Sequence, residues 1–420
     1  MATPSTERTP APSAERLHAD WAELARFADP DHDGWTRTVF SEAYRASREF
    51  IRGRMEDAGL SVTPDAAGNL VGRLPGSTPG APALMTGSHT DTVRSGGRFD
   101  GVVGVLGAIE VVRALREAGI SLQRDLIVVD FFGEETNEFG LGCLGSRALA
   151  GDLAAAHFDR TDPTGTHLGQ RYTGSGLDPD GAMTADWGRR EPIHRYVELH
   201  VEQGPVLEER GSEIGVVTAI AGIERLLARF AGRQDHAGTM PMGDRRDALV
   251  AAAEAVLAIR REACGAPVHG VATTSRVDSE PGSPNVVPGS TSLYAELRSI
   301  DPDWLSAAKT RLAQEISAKA GEYGVDAEIE WRHDNDVVPS DRGIQDVVAA
   351  SADELGLTWE ALPSGATHDA AHIARLCPAG MIFVPSQDGR SHCPEEFTST
   401  EHIEKGVRVL ASTLIALDRS

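Results

Sequence analysis

The sequence predicts an α/β fold, with a mostly parallel β-sheet carrying helices on both faces and a smaller α+β domain inserted into it. "ALMTGSHTD", "GVVGVLGAIEVVRALREAGI" and "DLIVVDFFGEE" form a strand, helix, strand series, which is typical of a layered α/β domain. After Gly211 the chain changes to strands around one Ala-rich helix, which indicates a second domain. Two domains also suit a chain of 420 residues, which exceeds the usual size of one core.

The domain boundaries follow from the same patterns. Residues 1–16 are rich in Pro, Ser, Thr and charge and predict a disordered tail. The first domain takes residues 17–212 and resumes at 330–420. The inserted domain takes residues 213–329, with a helix over Arg245 to Arg261 and strands in "IGVVTAIAG", "RLLARFAGR", "GVATTSRV" and "GSTSLYAELRS".

The charge balance excludes several kinds of partner. Lys and Arg number 40 against 63 Asp and Glu, so the net charge of -23 repels nucleic acid and anionic lipid. No stretch is apolar enough over the length that a membrane span requires. The four cysteines form no CxxC pair, which argues against a zinc-thiolate site and favours a reducing cytoplasm. We therefore expect a cytoplasmic protein whose partners are small molecules or other proteins.

Polar side chains follow the first strand of the series. In "GSHTDTVRSGGRFDG", His89 and Asp91 come at the strand end, and a glycine-rich loop leads to Asp100 directly before a helix. The carboxyl ends of parallel strands meet at one edge of a sheet, where functional groups concentrate. A lone histidine there is more often a hydrogen-bonded turn residue. The second acid at the helix start, where amides favour an anion, supports a binding site instead.

Two adjacent acids, Glu134 and Glu135, follow the strand "DLIVVDFF". Surface glutamates are usually only solvated charge, and the helix dipole accounts for one of them at most. Adjacent residues project in different directions, so Glu135 can bind a metal ion while Glu134 reaches a water molecule as general base.

Two further histidines occur in similar positions. His200 lies in the strand-like "ELHVEQGP", and His392 lies in a loop after the apolar run "GMIFVP". Each is weak alone. Together the strand ends offer nitrogen and oxygen ligands without thiolate, which suit zinc, manganese, cobalt or nickel. One carboxylate shared between two ions gives a two-metal hydrolytic site with the ligands His89, Asp100, Glu135, His200 and His392. The acids available to orient the imidazoles are Asp91, Glu202 and Glu395.

The inserted segment contributes a different set of side chains. His236 lies in "QDHAGTMPM", Asn285 in "PGSPNVVPGS", and Arg298 ends a predicted strand. An arginine fork matches a carboxylate, an amide orients a ligand, and an imidazole donates to a developing oxyanion. Separately, each is more often structural.

The motifs, in their order, resemble those of the hydantoinase/carbamoylase group of dinuclear metal amidohydrolases, relatives of aminoacylase and carboxypeptidase-type metallopeptidases. The resemblance covers about residues 20 to 418 and rests on "GSHTDTV", "GGRFDGVVGVLGAIE", "GEE", "LHVEQGPVLE", "DHAGTMPM", "PNVVPG" and "SHCPEE". It implies that His89, Asp100 and His200 hold one metal ion. Asp100, as the bridge, would hold the second ion with Glu135 and His392.

The resemblance also implies the remaining roles. Glu134 would be the general base, and Asp91 the partner of His89. His236 would be supplied to a neighbouring subunit's site, since such enzymes are homodimers through the inserted domain, which also forms a lid. The substrate would be bound by Gln203, Asn285 and Arg298, with Arg298 on its carboxylate.

The function expected from this resemblance is hydrolysis of the carbamoyl C–N bond of an N-carbamoyl-L-amino acid or related ureido acid. Two stretches depart from the carbamoylase pattern, namely "TNEFGLGCLGSRAL" and "SGATHDA". The first alternative is therefore a ureidoglycolate or allantoate amidohydrolase, or an N-acyl or dipeptide hydrolase. A more remote alternative is a non-catalytic ligand-binding homologue.

Overall fold

The computed structural model describes residues 10–267 and 269–420. The helices in this part of the chain are α1 Ala14–Leu24, α2 Glu42–Asp57, α3 Val102–Ala118, α4 Leu144–Leu149, α5 Ala155–Phe158, α6 Leu168–Gly174, α7 Pro179–Met183, α8 Trp187–Arg190, α9 Val206–Arg210, α10 Ala248–Cys264, α11 Pro302–Glu322, α12 Arg342–Glu354, α13 Asp369–Ile373 and α14 Thr400–Asp418. The strands are β1 Ser61–Pro64, β2 Leu70–Leu74, β3 Ala83–His89, β4 Leu126–Phe131, β5 Ile193–Val201, β6 Ile214–Ile220, β7 Gly222–Ala231, β8 Asp235–His236, β9 Gly270–Glu280, β10 Val286–Val287, β11 Ser290–Ser299, β12 Asp326–Asn335, β13 Val338–Pro339, β14 Trp359–Ser364 and β15 Ala379–Val384.

The chain divides into two compact units. The first comprises residues through Thr218 together with Ser340–Leu362 and His368–Ser420, and the second comprises Ala219–Pro339 and Pro363–Thr367. The expected return to the first domain at residue 330 differs from this division. β12 pairs with β7 from Asp326 to Asn335, so this strand completes the sheet of the second unit. That the first domain binds metal and catalyses, and that the inserted domain dimerises and forms a lid, stay predictions.

The sheet of the first unit confirms the predicted α/β class. It runs in the order β1, β2, β4, β3, β5, β15, β6, and β14 also pairs with β6. The four central strands are parallel to one another, whereas β2 and β6 join them antiparallel. The carboxyl ends of β3, β4, β5 and β15 therefore share one edge.

Helices cover both faces of this sheet, as the alternation along β5 illustrates. Val197, Leu199 and Val201 belong to the apolar core formed with α3 and α14. Glu198 and His200 point to the opposite face, because successive strand residues alternate. There the backbone amide of Ala370, in α13, donates to Glu198 at 3.0 Å. A central strand thus carries a buried acid and a buried histidine on one face only.

The second unit contains an antiparallel sheet in the order β12, β7, β11, β9 and a separate two-stranded pair of β8 and β10. Helices α10 and α11 pack on the sheet around alanine and leucine side chains. The predicted alanine-rich helix starts three residues later than expected, at Ala248, because the Asp247 side chain caps it by accepting from the amides of Leu249 and Val250.

The predicted tail of residues 1–16 lies mostly outside the described residues. For the last part of this segment the structure corrects the prediction of disorder, because helix α1 already begins at Ala14 with Ser13 as its N-cap. Arg16 is tied to Glu110 of α3 by an ion pair of 2.6 Å. Within the described ranges, no helix combines the length and the apolar character that crossing a membrane would require.

Candidate active site

The shared strand edge gathers the five predicted ligands into two groups. The ligand atoms of His89, Asp100 and His200 lie within 4.8 Å of one another, and so do those of Asp100, Glu135 and His392. His89 ends β3, and His200 lies one residue before the end of β5. Asp100 lies in the loop after β3, Glu135 in the loop after β4, and His392 in the loop that follows β15.

Asp100 belongs to both groups. Its Oδ1 lies 3.1 Å from His200 Nε2 and 3.7 Å from His89 Nε2, while its Oδ2 lies 3.2 Å from His392 Nε2. The carboxylate is almost fully buried. Each of its oxygens therefore faces a different set of imidazoles, which is the arrangement that a carboxylate shared by two ions would have.

The tautomers of two buried imidazoles follow from their hydrogen bonds. His89 Nδ1 lies 3.1 Å from the backbone oxygen of Asp91, and His200 Nδ1 lies 2.8 Å from that of Val201. A carbonyl oxygen only accepts, so Nδ1 carries the proton in both rings. Nε2 is then the nitrogen of each ring that faces Asp100, and in a neutral ring it carries the lone pair that metal ligation requires.

Asp91 holds the paired glutamates in place. Its Oδ1 accepts from the amide of Glu134 at 3.1 Å, and its Oδ2 accepts from the amide of Glu135 at 3.0 Å. From this shared support the two side chains diverge. Glu134 Oε2 lies 3.5 Å from His89, whereas Glu135 Oε1 lies 3.4 Å from His392. The adjacent acids therefore serve different parts of the cluster.

The ionisation of the cluster reflects crowded acids. Burial raises the pKa of Glu134 well above its usual range, with a further contribution from Glu135, and burial raises the pKa of Glu135 to about 7. Burial would raise the pKa of Asp100 too, but the imidazoles of His200 and His392 hold it well below its usual range. Buried carboxylates here exceed the positive charge that the imidazoles supply. Divalent cations, which prefer nitrogen and oxygen ligands of this kind, fit this deficit.

The acids that orient this cluster differ in part from the expected ones. Glu202 accepts from the amides of Val206 and Leu207 and so caps α9, and Glu395 pairs with Arg390 at the surface. Glu396 instead accepts from the amides of Phe99 and Asp100 at 2.7 and 3.0 Å. The doubled acid in "CPEEF" was the available signal, but it did not distinguish the buried glutamate from its neighbour.

Gln203 also lies on Asp100. Its Nε2 donates to Asp100 Oδ2 at 2.8 Å, from a residue in the left-handed region with φ of 59°. Ser391 donates to the same oxygen at 2.9 Å. The predicted substrate-binding glutamine therefore contacts the central carboxylate directly.

A further buried layer behind the ligands was missed from the sequence. Glu198, His200 and His368 form a third group with atoms within 4.8 Å, and the rings of His200 and His368 meet edge to face at 4.5 Å. Beside them, Ser146 donates to Asp369 at 2.5 Å. The motif "SGATHDA" contains His368 and Asp369, but nothing in its spacing indicated that it lies behind β5.

The predicted side chains of the second unit form one pair and one separate residue. His236 in β8 lies opposite Val286 in β10, and the amide of Ala237 donates to the backbone oxygen of Asn285 at 3.0 Å. Arg298 lies near the far end of β11, about 26 Å along the strand from its first residue. Its guanidinium binds Glu296 at 2.8 Å and the carbonyl of Gly365 at 3.0 Å. The structure thus brings His236 and Asn285 together, and it places Arg298 in an ion pair.

Comparison with known proteins agrees with this fold. The family model described as peptidase family M20/M25/M40 matches residues 85–416. An N-carbamoyl-L-amino-acid amidohydrolase of Paenarthrobacter aurescens is 38% identical, covering 97% of this chain and 98% of its own. A ureidoglycolate hydrolase of Arabidopsis thaliana is 36% identical, covering 94% and 84%. The crystal structure of a hydantoinase/carbamoylase family amidase from Burkholderia multivorans superimposes with a TM-score of 0.87 at 32% identity, covering 98% of this chain and 99% of that one.

These matches define the class of the protein, which is a hydrolase of amide-type C–N bonds. The chain belongs to peptidase family M20/M25/M40. The resemblance to the hydantoinase/carbamoylase group is confirmed.

The approach of Gly101 to His89 gives a testable consequence. A Cβ on Gly101 would lie 2.4 Å from His89 Nε2, and the residue has φ of 68°. We expect Gly101→Ala to lower the free energy of unfolding by about 3 kcal/mol, combining left-handed strain with overpacking. Urea denaturation in the presence of a chelator measures this loss.

Gly119→Ala is the matched control. Gly119 ends the same helix with φ of 67°, and nothing lies within 4 Å of the added Cβ. It should therefore lose only about 1 kcal/mol, from strain alone. Equal losses in the two variants would contradict the close approach to His89.

Proposed function

We propose that this chain is a two-metal amidohydrolase that cleaves the carbamoyl C–N bond of an N-carbamoyl-L-amino acid or related ureido acid. The observation that carries the proposal is the position of Asp100, whose two oxygens face separate groups of imidazoles. The products would be the amine and a carbamate, which breaks down to carbon dioxide and ammonia.

The donor set supports two divalent ions, drawn from zinc, manganese, cobalt and nickel. One would be held by His89, Asp100 and His200, and the other by Asp100, Glu135 and His392. When bound, such ions polarise the scissile carbonyl and lower the pKa of a coordinated water molecule.

Glu134 is proposed as the general base. It is buried beside the ligands without belonging to either group, and burial raises the pKa of its carboxyl, so it retains a transferred proton. It would take the proton from the attacking water and deliver it to the departing nitrogen. Asp91 would act indirectly, by holding the backbone of Glu134 and Glu135.

The side chains of the second unit are proposed to bind and polarise the substrate. His236 of a neighbouring subunit would donate to the oxygen on which charge develops. Asn285 lies beside His236 in the structure, so both would come from the same subunit. Gln203, which donates to Asp100, would also contact the substrate. Arg298 would release Glu296 and bind the substrate's carboxylate in its place.

A ureidoglycolate or allantoate amidohydrolase is the second candidate, with an N-acyl or dipeptide hydrolase as a further form of it. Two stretches near the cluster favour it, since "CLGSR" and "THDA" depart from the carbamoylase pattern. Both activities use the same ligands and base, so only the substrate separates them. A non-catalytic ligand-binding protein is the remote alternative.

A substrate panel on metal-depleted protein tests the proposal. We expect chelation to abolish ammonia release and separate addition of manganese, cobalt, nickel or zinc to restore it with at least one ion. N-carbamoyl-L-amino acids should then be hydrolysed faster than allantoate or ureidoglycolate. The reverse order would favour the second candidate, and a metal-replete protein inert on every substrate would leave only a binding role.

Glu134→Gln tests the assignment of the base. The variant keeps the shape of the side chain but cannot accept the proton, so turnover should fall by about 10²- to 10⁴-fold. Its metal content, measured by atomic emission, should equal that of the wild type. Glu395→Gln, a surface acid paired with Arg390, is the control and should keep normal turnover. A Glu134→Gln enzyme of near-normal rate would eliminate the assignment.

A homodimer through the second unit is also proposed. β9 is an edge strand of eleven residues, and Val271 and Val277 on it are 44% and 39% exposed. Helix α10 packs against β9 and exposes Leu257 at 51%. An open edge with apolar neighbours is a ready template for a second copy related by a two-fold axis.

The four cysteines are free, which supports a cytoplasmic location for this assembly.

Charge placed on this edge should dissociate the dimer. We expect Leu257→Glu combined with Val271→Lys to shift the mass measured by light scattering from two chains to one. Trp359→Gln, an exposed apolar residue of the first unit at 38%, should leave the mass unchanged. A double variant that remains dimeric would exclude this interface.

A further inference from the structure

A cavity of about 300 Å³ lies beside the candidate metal cluster, within the first unit. Its walls are residues 38–39, 91–94 and 135–138. Glu135, a proposed ligand, forms part of the wall. The third segment belongs to "TNEFGLGCLGSRAL", in which the sequence departs from the carbamoylase pattern. The cavity is large enough for the side chain of a small substrate.

The acids that line this cavity already have partners. Asp91 accepts from two backbone amides, Glu135 faces His392 at 3.4 Å, and Glu138 pairs with Arg171 at 3.4 Å. At least one oxygen of each of these acids is therefore already engaged within the protein.

In contrast to these acids, some hydrogen-bond donors in the cavity wall lack partners. Across the described part of the chain, Arg94 makes no hydrogen bond or ion pair, and its side chain is exposed. An arginine usually uses its planar fork on a carboxylate where one is available. Arg94 is thus an uncommitted cation at the rim.

Asn137 supplies a second uncommitted donor. Its Oδ1 accepts from the amides of Phe139 and Leu141 at 3.0 and 3.4 Å, which fixes the side-chain plane. Its Nδ2 is buried and lacks a hydrogen-bond partner among the described residues. A buried donor left unpaired costs about 1–3 kcal/mol, so a bound acceptor would remove a real penalty.

From these contacts we infer that the cavity is a specificity subsite for the substrate's side chain, in which Arg94 and Asn137 bind a terminal carboxylate or carboxamide. The inference rests on the proposed function and narrows its substrate class to ureido acids with short polar side chains. Arg94 supplies charge, and Asn137 supplies a directional amide hydrogen to the same oxygen-bearing group. An apolar side chain would leave the buried donor of Asn137 unsatisfied.

Two matched substrates test the subsite on the metal-loaded, full-length protein. N-carbamoyl-L-glutamate and N-carbamoyl-L-norvaline share the ureido group and the α-carboxylate, and they differ at the end of the side chain. We expect the wild type to prefer the glutamate compound in kcat/KM. In Arg94→Gln the ratio of the two kcat/KM values should fall by about thirtyfold, mainly through KM, because a charge-assisted hydrogen bond is lost.

Two further variants separate charge from shape. Arg94→Lys keeps the charge and should retain most of the preference. Asn137→Asp keeps the acceptor for the Phe139 amide but replaces the free donor by an anion, so it should lower the ratio by at least tenfold. Arg45→Gln, an exposed arginine of α2 that pairs with Glu42 across 3.7 Å, is the control and should leave the ratio unchanged.

The outcomes distinguish the subsite from the proposed function. An Arg94→Gln enzyme that loses activity equally on both substrates, or that keeps the wild-type ratio, overturns the subsite while leaving the amidohydrolase intact. A wild-type preference for the norvaline compound overturns it as well. A wild-type protein that hydrolyses no ureido acid overturns the proposed function and, with it, the subsite.

Discussion

The arrangement of the candidate site depends on the carboxylate of Asp91. It lies two residues beyond β3 and accepts from the consecutive amides of Glu134 and Glu135, which follow β4. Two neighbouring parallel strands are thereby joined at their carboxyl ends by a pair of buried hydrogen bonds to a charged acceptor, the stronger kind. The backbone carbonyl of Asp91 also fixes the ring of His89. One residue thus sets the direction of both glutamates and of the adjacent imidazole.

This geometry concentrates negative charge where water is excluded. Four carboxylates, those of Asp91, Asp100, Glu134 and Glu135, are buried close together, and burial raises the pKa of both glutamates. Buried charges of one sign are costly unless cations accompany them. The cost is met in part by the imidazoles and by backbone amides. The acids that remain uncompensated are the reason that divalent cations are proposed here, and the raised pKa of Glu134 is the reason that it is proposed as the base.

The second unit treats its functional candidates differently. His236 and Asn285 are held near each other by the short β8–β10 ladder and by the hydrogen bond from the amide of Ala237 to the backbone oxygen of Asn285. Arg298 is held by Glu296 within its own strand, which keeps its partly exposed guanidinium paired. The exposed edge of β9 belongs to the same unit. Assembly and substrate polarisation are therefore both proposed for the second unit, while the ligand cluster depends on the parallel sheet of the first unit.

The sequence by itself determined the α/β class and the concentration of His89, Asp100, Glu135, His200 and His392 at one sheet edge, because strand periodicity and the carboxyl-end rule are local and topological regularities. It did not determine whether β12 belongs to the sheet of the first or of the second unit, because an alternating strand fits either sheet until its partner β7 is known. It also left Glu395 and Glu396 indistinguishable, and it gave no sign that Glu198, His368 and Asp369 lie behind the ligands. Those features depend on contacts between segments far apart in the chain. Only tertiary packing decides which of two neighbouring side chains is buried against a distant partner and which remains free.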